Sequence, residues 1–309
     1  MNGVLVIDKP KGWTSHDVVA WVRKILKVRK AGHGGTLDPL ATGVLPVYLE
    51  EGTKLVPFNL EGTKEYLATM KLGQETDTLD GDGKVIAEKP GFSFSGEEIE
   101  KVLGRFRGQI QQTPPLFSAI KQDGLPMYKR ARSGEKPSLM KREATIHALS
   151  LKGVSLPFVT LEITCGRGTY VRSLCADIGR CLGCGAHLVE LRRLRSGKFS
   201  IEQALSVEGL SQLVDRGKVE ERIIPLKDGV DVPGKIWVEE KTEARVRQGR
   251  PLRLSDLPQG AIIPMKSGQR VSLLNRSDTL LAIAESQVNG EAGLSADPQV
   301  LRILRVFNG

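Results

Sequence analysis

Gly32-His33-Gly34-Gly35-Thr36-Leu37-Asp38-Pro39-Leu40-Ala41-Thr42-Gly43 decides how the rest of the chain is read. Its glycines and Pro39 rule out a regular helix and a central strand. Asp38 is therefore predicted on a loop, where a carboxylate, an imidazole and two hydroxyls meet an approachable backbone. Ahead of it, Val4-Leu5-Val6-Ile7 reads as a short buried strand. Residues 13–28 read as a helix, with Val18, Val19, Trp21, Val22, Ile25 and Leu26 at helical spacing and Thr14 or Ser15 as its cap. Behind the loop, residues 44–49, 65–72 and 158–165 mix β-branched or aromatic residues with alternating polarity and read as strands. Residues 96–104 and 171–183 read as helices, the second with Val171, Leu174, Cys175, Ile178 and Leu182 along one stripe. The expected fold class is α+β, built on a mixed sheet.

A chain of 309 residues suits one large domain with a smaller one appended. No apolar run approaches the roughly 20 residues of a membrane-spanning helix, and the N-terminal run is too short for the core of a signal peptide. A soluble, cytoplasmic protein is expected. The four cysteines all fall within residues 165–184, unlike the spread of a secreted disulfide scaffold. Cys181-Leu182-Gly183-Cys184 lacks the second ligand pair of a zinc site, so buried thiols and no metal are predicted. Near residues 228–234 the pattern changes, and short runs at 261–265, 271–274 and 280–284 alternate with turns, which places a small β-rich domain at that end.

The formal net charge is +9, and its distribution points to a polyanionic partner. Residues 23–30 hold Arg23, Lys24, Lys27, Arg29 and Lys30 without an acid; residues 121–142 add a second basic group, and Arg192, Arg193, Arg195 and Lys198 a third that is read as closing a helical segment. Three such clusters around uncharged glycine-rich loops suit nucleic acid phosphates. Residues 122–138 have little apolar periodicity and read as an extended loop able to close over a ligand.

The glycine-rich stretch is no phosphate-binding Walker loop, because the lysine of that motif is missing, and no dinucleotide fingerprint. Taken alone, an aspartate before proline simply starts a turn. Residues 73–83 imitate a calcium loop, but Leu79 and Gly81 would stand at ligand positions, so an acidic hairpin is predicted in which Asp80 can accept from a cleft arginine. Cys165-Gly166-Arg167-Gly168-Thr169-Tyr170-Val171-Arg172 joins a strand to a helix and places Tyr170 and Arg172 at the helix N-terminus, where anions are favoured.

Together these segments resemble the TruB family of tRNA pseudouridine synthases, whose motifs occur here in order. Asp8-Lys9-Pro10-Lys11-Gly12-Trp13-Thr14-Ser15 is similar to the first, and Gly35 to Gly43 to the catalytic one. Lys64-Glu65-Tyr66, Thr76-Asp77-Thr78-Leu79-Asp80, residues 112–121, Gly168 to Leu174 and Gly185 to Leu194 follow. The resemblance spans residues 2–200, and the last eighty or so look more loosely like a PUA domain. One departure is Gly34, where the family usually has threonine.

The resemblance implies a pseudouridine-synthase fold: a mixed, largely antiparallel sheet with flanking helices and a central cleft, plus a small C-terminal β-barrel. Residues 1–229 would form the catalytic domain, with a basic insertion loop at about 122–142, and 230–309 a PUA-like RNA-binding domain. It implies isomerisation of uridine 55 in the tRNA T-loop, without cofactor or metal. Asp38, Arg172 and Asp80 would be catalytic, with Asp38 attacking either the base or the sugar. His33, Tyr66, Tyr170, Leu191 and Lys9 would bind the substrate. The T-arm stem-loop is the expected partner of a monomer with no obligatory protein partner. A guide-dependent synthase and a noncatalytic RNA-binding protein are the alternatives.

Overall fold

A computed structural model describes residues 1–116, 121–122, 125–126, 140–258, 266–288 and 297–308. The strands, in chain order, are β1 (Gly3–Lys9), β2 (Ala31–His33), β3 (Thr42–Leu49), β4 (Lys64–Leu72), β5 (Gln74–Thr76), β6 (Val85–Glu88), β7 (Gly108–Gln112), β8 (Lys121–Gln122), β9 (Leu125–Pro126), β10 (Arg142–Ser155), β11 (Phe158–Cys165), β12 (Ala186–Ser196) and β13 (Phe199–Ser200). The main sheet runs β1-β3-β12-β4-β11-β10-β7, with β2 added to β3 and β13 to β12. Within this sheet, among the described residues, only β3 and β12 pair in parallel; its other pairings are antiparallel.

β1 shows why its sequence is apolar without a break. Leu5 and Ile7 pack on Val18 and Val22 of the helix Ser15–Ile25, whereas Val4 and Val6 pack the other way, against Leu226, Val230, Leu280 and Phe307. A strand covered on both faces has no polar positions to alternate with. β4 and β11 alternate instead, their inward residues packing beneath the helices Gly96–Leu103 and Val171–Leu182.

Thr14 caps the first helix: its hydroxyl accepts from the Asp17 amide at 3.0 Å while the Asp17 carboxylate accepts from the Thr14 amide at 2.8 Å. The helix stops at Ile25 and not at residue 28, because Lys27 takes a left-handed φ of 53°. The third basic cluster is also placed differently from expectation. Arg192, Arg193 and Arg195 lie on β12, not on a helix, and strand alternation sends neighbours to opposite faces.

The second sheet comprises β14 (Gly234–Trp237), β15 (Leu252–Arg253), β16 (Arg270–Leu274), β17 (Leu280–Ser286) and β18 (Gln299–Val306), in the order β14-β16-β17-β18-β15. The run expected at 261–265 and most of the loop at 122–138 lie outside the described residues. Cys165, Cys175 and Cys184 are buried, but Cys181 is exposed at the end of its helix, against the expectation for all four. No described helix is long and apolar enough to cross a membrane.

Candidate active site

Asp38 sits on the loop between β2 and β3, and that loop is pinned from beneath. The Ser15 hydroxyl accepts from the Leu37 amide at 2.8 Å and donates to its carbonyl at 3.1 Å. The Gly12 amide donates to the Pro39 carbonyl at 2.8 Å, and the Ala41 amide returns to the Asp38 carbonyl at 3.0 Å, closing a turn that proline initiates. Lys9 is wholly buried; its ammonium donates to the carbonyls of Trp13 at 2.6 Å, Pro10 at 3.0 Å and Pro39 at 3.3 Å. Burial lowers its pKa to about 8. Lys9, expected to bind the substrate, here holds the loop through these carbonyls.

Across the cleft, the helix Val171–Leu182 delivers Arg172 from its first turn. Its guanidinium is 6% exposed and bridges two carboxylates, with Nε 2.9 Å from Asp38 and Nη1 3.2 Å from Asp80. Nη1 also donates to the Thr78 carbonyl at 3.2 Å. Asp80 sits behind it in the hairpin joining β5 and β6, where its carboxylate accepts from the Thr78 hydroxyl at 2.5 Å and the Asp82 amide at 3.2 Å. Desolvation pushes the Asp38 carboxyl above its ordinary value, Arg172 pulls it back, and the charge of Asp80 adds to the rise.

These groups border a cavity of about 410 Å³, within the range of small-molecule sites. Asp38, Arg172, Tyr66, Tyr170 and Leu191 line it, whereas Asp80, Lys9 and His33 do not. Tyr170 is fixed at the helix start by Gln112, whose side chain accepts from its amide at 3.1 Å and donates to its carbonyl at 3.2 Å. His33 lies on β2 with Nδ1 buried and, among the described residues, without a hydrogen-bond partner. Burial first, then the charge of Arg193, lowers its pKa and favours the neutral ring.

Two buried cations of the lining carried no individual role in the sequence reading. Lys64 directs its ammonium to the carbonyls of Leu60 at 2.8 Å and Gly62 at 2.6 Å. Arg193 is 1% exposed and donates from Nε to the Val44 carbonyl at 2.7 Å and from Nη2 to the Gly35 carbonyl at 3.1 Å. Reading residues 186–196 as a strand would have separated it from Arg192, which turns to the opposite side and grips Asp8 at 2.7 and 3.1 Å. Gly34 has a steric reason. A Cβ there would lie 2.8 Å from a ring carbon of Tyr48, whose hydroxyl accepts from Asn59 at 3.0 Å.

Residues 23–171 match the model of the TruB family pseudouridylate synthase N-terminal domain, and residues 172–230 that of the tRNA pseudouridylate synthase B C-terminal domain. The chain is 45% identical over 309 residues to tRNA pseudouridine synthase B of Geobacter sulfurreducens, covering 100% of both chains. It is 42% identical to the protein of the same name from Syntrophus aciditrophicus, covering 100% of this chain and 99% of that one. Among solved structures, a chain of an H/ACA RNP bound to a substrate RNA containing 2′-deoxyuridine superposes with a TM-score of 0.78 at 29% identity, covering 99% of this chain and 85% of that chain. A chain of a Cbf5-Nop10-Gar1 complex does so with a TM-score of 0.78 at 31% identity, with the same coverage. With the pseudouridine-synthase fold in place and family models spanning residues 23–230, the chain belongs to the TruB family of tRNA pseudouridine synthases, enzymes that isomerise uridine to pseudouridine.

Proposed function

We propose that the target is uridine 55 in the T-loop of tRNA and that Asp38 is the catalytic carboxylate. The observation that carries this reading is the Asp38 carboxylate, 41% exposed into a nucleoside-sized cavity while its arginine partner is buried at 6%. The reaction breaks the bond from ribose C1′ to N1, turns the base and joins C1′ to C5; N1 gains a proton and C5 loses one, so nothing is oxidised or hydrolysed. Asp38 attacks as a carboxylate, at the base or at the sugar carbon. Arg172, held in plane by Asp80, keeps that carboxylate ionised and aimed.

A uridine within a folded loop does not expose C1′ and C5, so it is everted at a cost of a few kcal/mol. Stacking on Tyr66 returns about 1–3 kcal/mol, with Leu191 and Tyr170 walling the base. His33 props the space the nucleotide leaves. The exposed cluster Arg23, Lys24, Lys27, Arg29 and Lys30 meets phosphates without reading bases, and the C-terminal sheet adds a second RNA contact. The enzyme acts as a monomer without a protein partner.

Tritium release from C5-labelled uridine in a T-arm hairpin, with purified protein and no guide RNA, tests the reading. Prompt release supports it. Release only on adding a guide RNA or accessory proteins would favour a guide-dependent synthase, an alternative raised by the ribonucleoprotein setting of the structural neighbours.

A further inference from the structure

Between the helical turn Val56–Asn59 and β4, the chain passes the cavity as Leu60-Glu61-Gly62-Thr63. Leu60 lines the cavity, and the stretch is anchored by Lys64 at the Leu60 and Gly62 carbonyls and by the Gly197 amide, which donates to the Thr63 carbonyl at 2.8 Å. The Glu61 carboxylate faces two arginines from different parts of the fold. One oxygen lies 3.7 Å from Nη1 of Arg167, in the loop 166–170 that lines the cavity. The other lies 3.7 Å from Nη1 of Arg270, at the start of β16 in the second sheet. The Arg270 guanidinium also sits over the Phe58 ring, 5.4 Å from its centroid, a contact that uses none of its N–H donors.

Stability does not account for this arrangement. At 3.7 Å neither contact is a hydrogen bond, Glu61 is 58% exposed, and exposed pairs of this kind contribute little. The two sheets are joined instead by the apolar cluster of Val4, Val6, Leu226, Leu280 and Phe307, and by Asn59, which donates to the Gly229 carbonyl at 2.7 Å and accepts from the Asp231 amide at 3.2 Å. Among the described residues neither guanidinium donates a side-chain hydrogen bond. Two cations share one anion, which leaves a positive charge beside the cavity.

We propose that Arg167 and Arg270 form a clamp for a phosphodiester of the RNA strand beside the everted nucleotide, and that Glu61 occupies this clamp until RNA enters. This rests on the reading that the cavity receives a nucleotide of a folded RNA. A phosphodiester spreads a single negative charge over two oxygens, as the carboxylate does. Each guanidinium can hold it through charge-assisted N–H bonds, shorter and stronger than the contacts to Glu61. The displaced Glu61 turns to the solvent that it already meets. The clamp is blind to base identity.

The test is T-arm hairpin affinity over a salt series. Arg167→Gln and Arg270→Gln are each expected to weaken binding at least about threefold at low salt and to lower the slope of log K against log salt by about 0.7. Glu61→Gln, which removes the competitor, should bind at least about threefold tighter. Glu162→Gln is the control for net charge: it opens an exposed pair with Lys152, and strand alternation turns it to the sheet face opposite Leu161 and Ile163, which share the core of Tyr66. Unchanged or weaker binding in Glu61→Gln, equal tightening in Glu162→Gln, or wild-type slopes in both arginine variants overturns the inference. A wild-type protein that releases no tritium overturns the activity reading instead, and the salt slopes, which need only binding, still decide the clamp.

Discussion

Two arginines face the same cavity from opposite walls, at 5% and 1% exposure, and they are held by different chemistry. Arg172 is clamped between two carboxylates; Arg193 donates to two backbone carbonyls. The first wall sets the charge on Asp38. The second holds the backbone at Gly35 and Val44, on either side of Asp38. The difference teaches that burial and formal charge do not define what an arginine does in a site, since the acceptor set decides whether it acts through electrostatics or through placement.

The sharpest way to break this comparison is to remove the charge the first wall serves. Asp38→Asn is expected to lower the single-turnover rate by at least about a thousandfold while Kd for the hairpin stays within about threefold. Retention of the wild-type rate would end the proposed mechanism. The same variant carries a stability signature. A carboxyl whose folded pKa lies above its ordinary 3.8 binds more protons folded than unfolded, so its contribution favours folding at low pH and is lost as pH rises through the raised value. Asp38→Asn removes that dependence. Its thermal midpoint at neutral pH should equal or exceed that of wild type, as scanning calorimetry from acid to neutral pH would show.

Arg172→Lys comes next, with an expected rate loss of about a hundredfold, because an ammonium cannot engage Asp38 and Asp80 through one planar fork. Arg172→Met goes further. It leaves Asp80 buried without its cation, at a cost of about 3–5 kcal/mol to stability, and removes the main influence holding the Asp38 pKa down. The acid limb of the pH–rate profile should therefore move toward neutrality in Arg172→Met. A limb that stays in place would show that Arg172 does not tune Asp38.

The two walls also differ in how well the sequence reveals them. The wall of Asp38, Asp80 and Arg172 falls in short, ordered motifs whose loop and helix-start positions follow from Gly, Pro and apolar spacing. The β strands of the main sheet were likewise legible wherever alternation was clean, as in β4 and β11. Arg193 was hidden by its neighbours: in the run Arg192-Arg193-Leu194-Arg195 four residues look like one charged face, and only strand pairing divides them. The acceptors of Lys9 were hidden for a related reason: they are backbone carbonyls, which no sequence pattern marks.

Gly34 provides the smallest and most local test, on the loop that joins the two walls. Its φ is not in the left-handed region, so glycine is required by contact alone. Tyr48 is 1% exposed, held by Asn59 and packed edge-on against Phe199 with ring centroids 6.3 Å apart, and it cannot yield to a new Cβ at 2.8 Å. Gly34→Thr, which restores the residue usual in the family, should thus destabilise the protein by about 1–3 kcal/mol through overpacking. Tyr48→Phe should not relieve it, because the nearest atom is a ring carbon and not the hydroxyl. Tyr48→Ala should, since it clears the ring: the double variant with Gly34→Thr is expected to be no less stable in urea than Tyr48→Ala alone. A Gly34→Thr protein as stable as wild type would show instead that the loop shifts freely, and a loop that shifts so freely could not hold Asp38 against Arg172 at 2.9 Å.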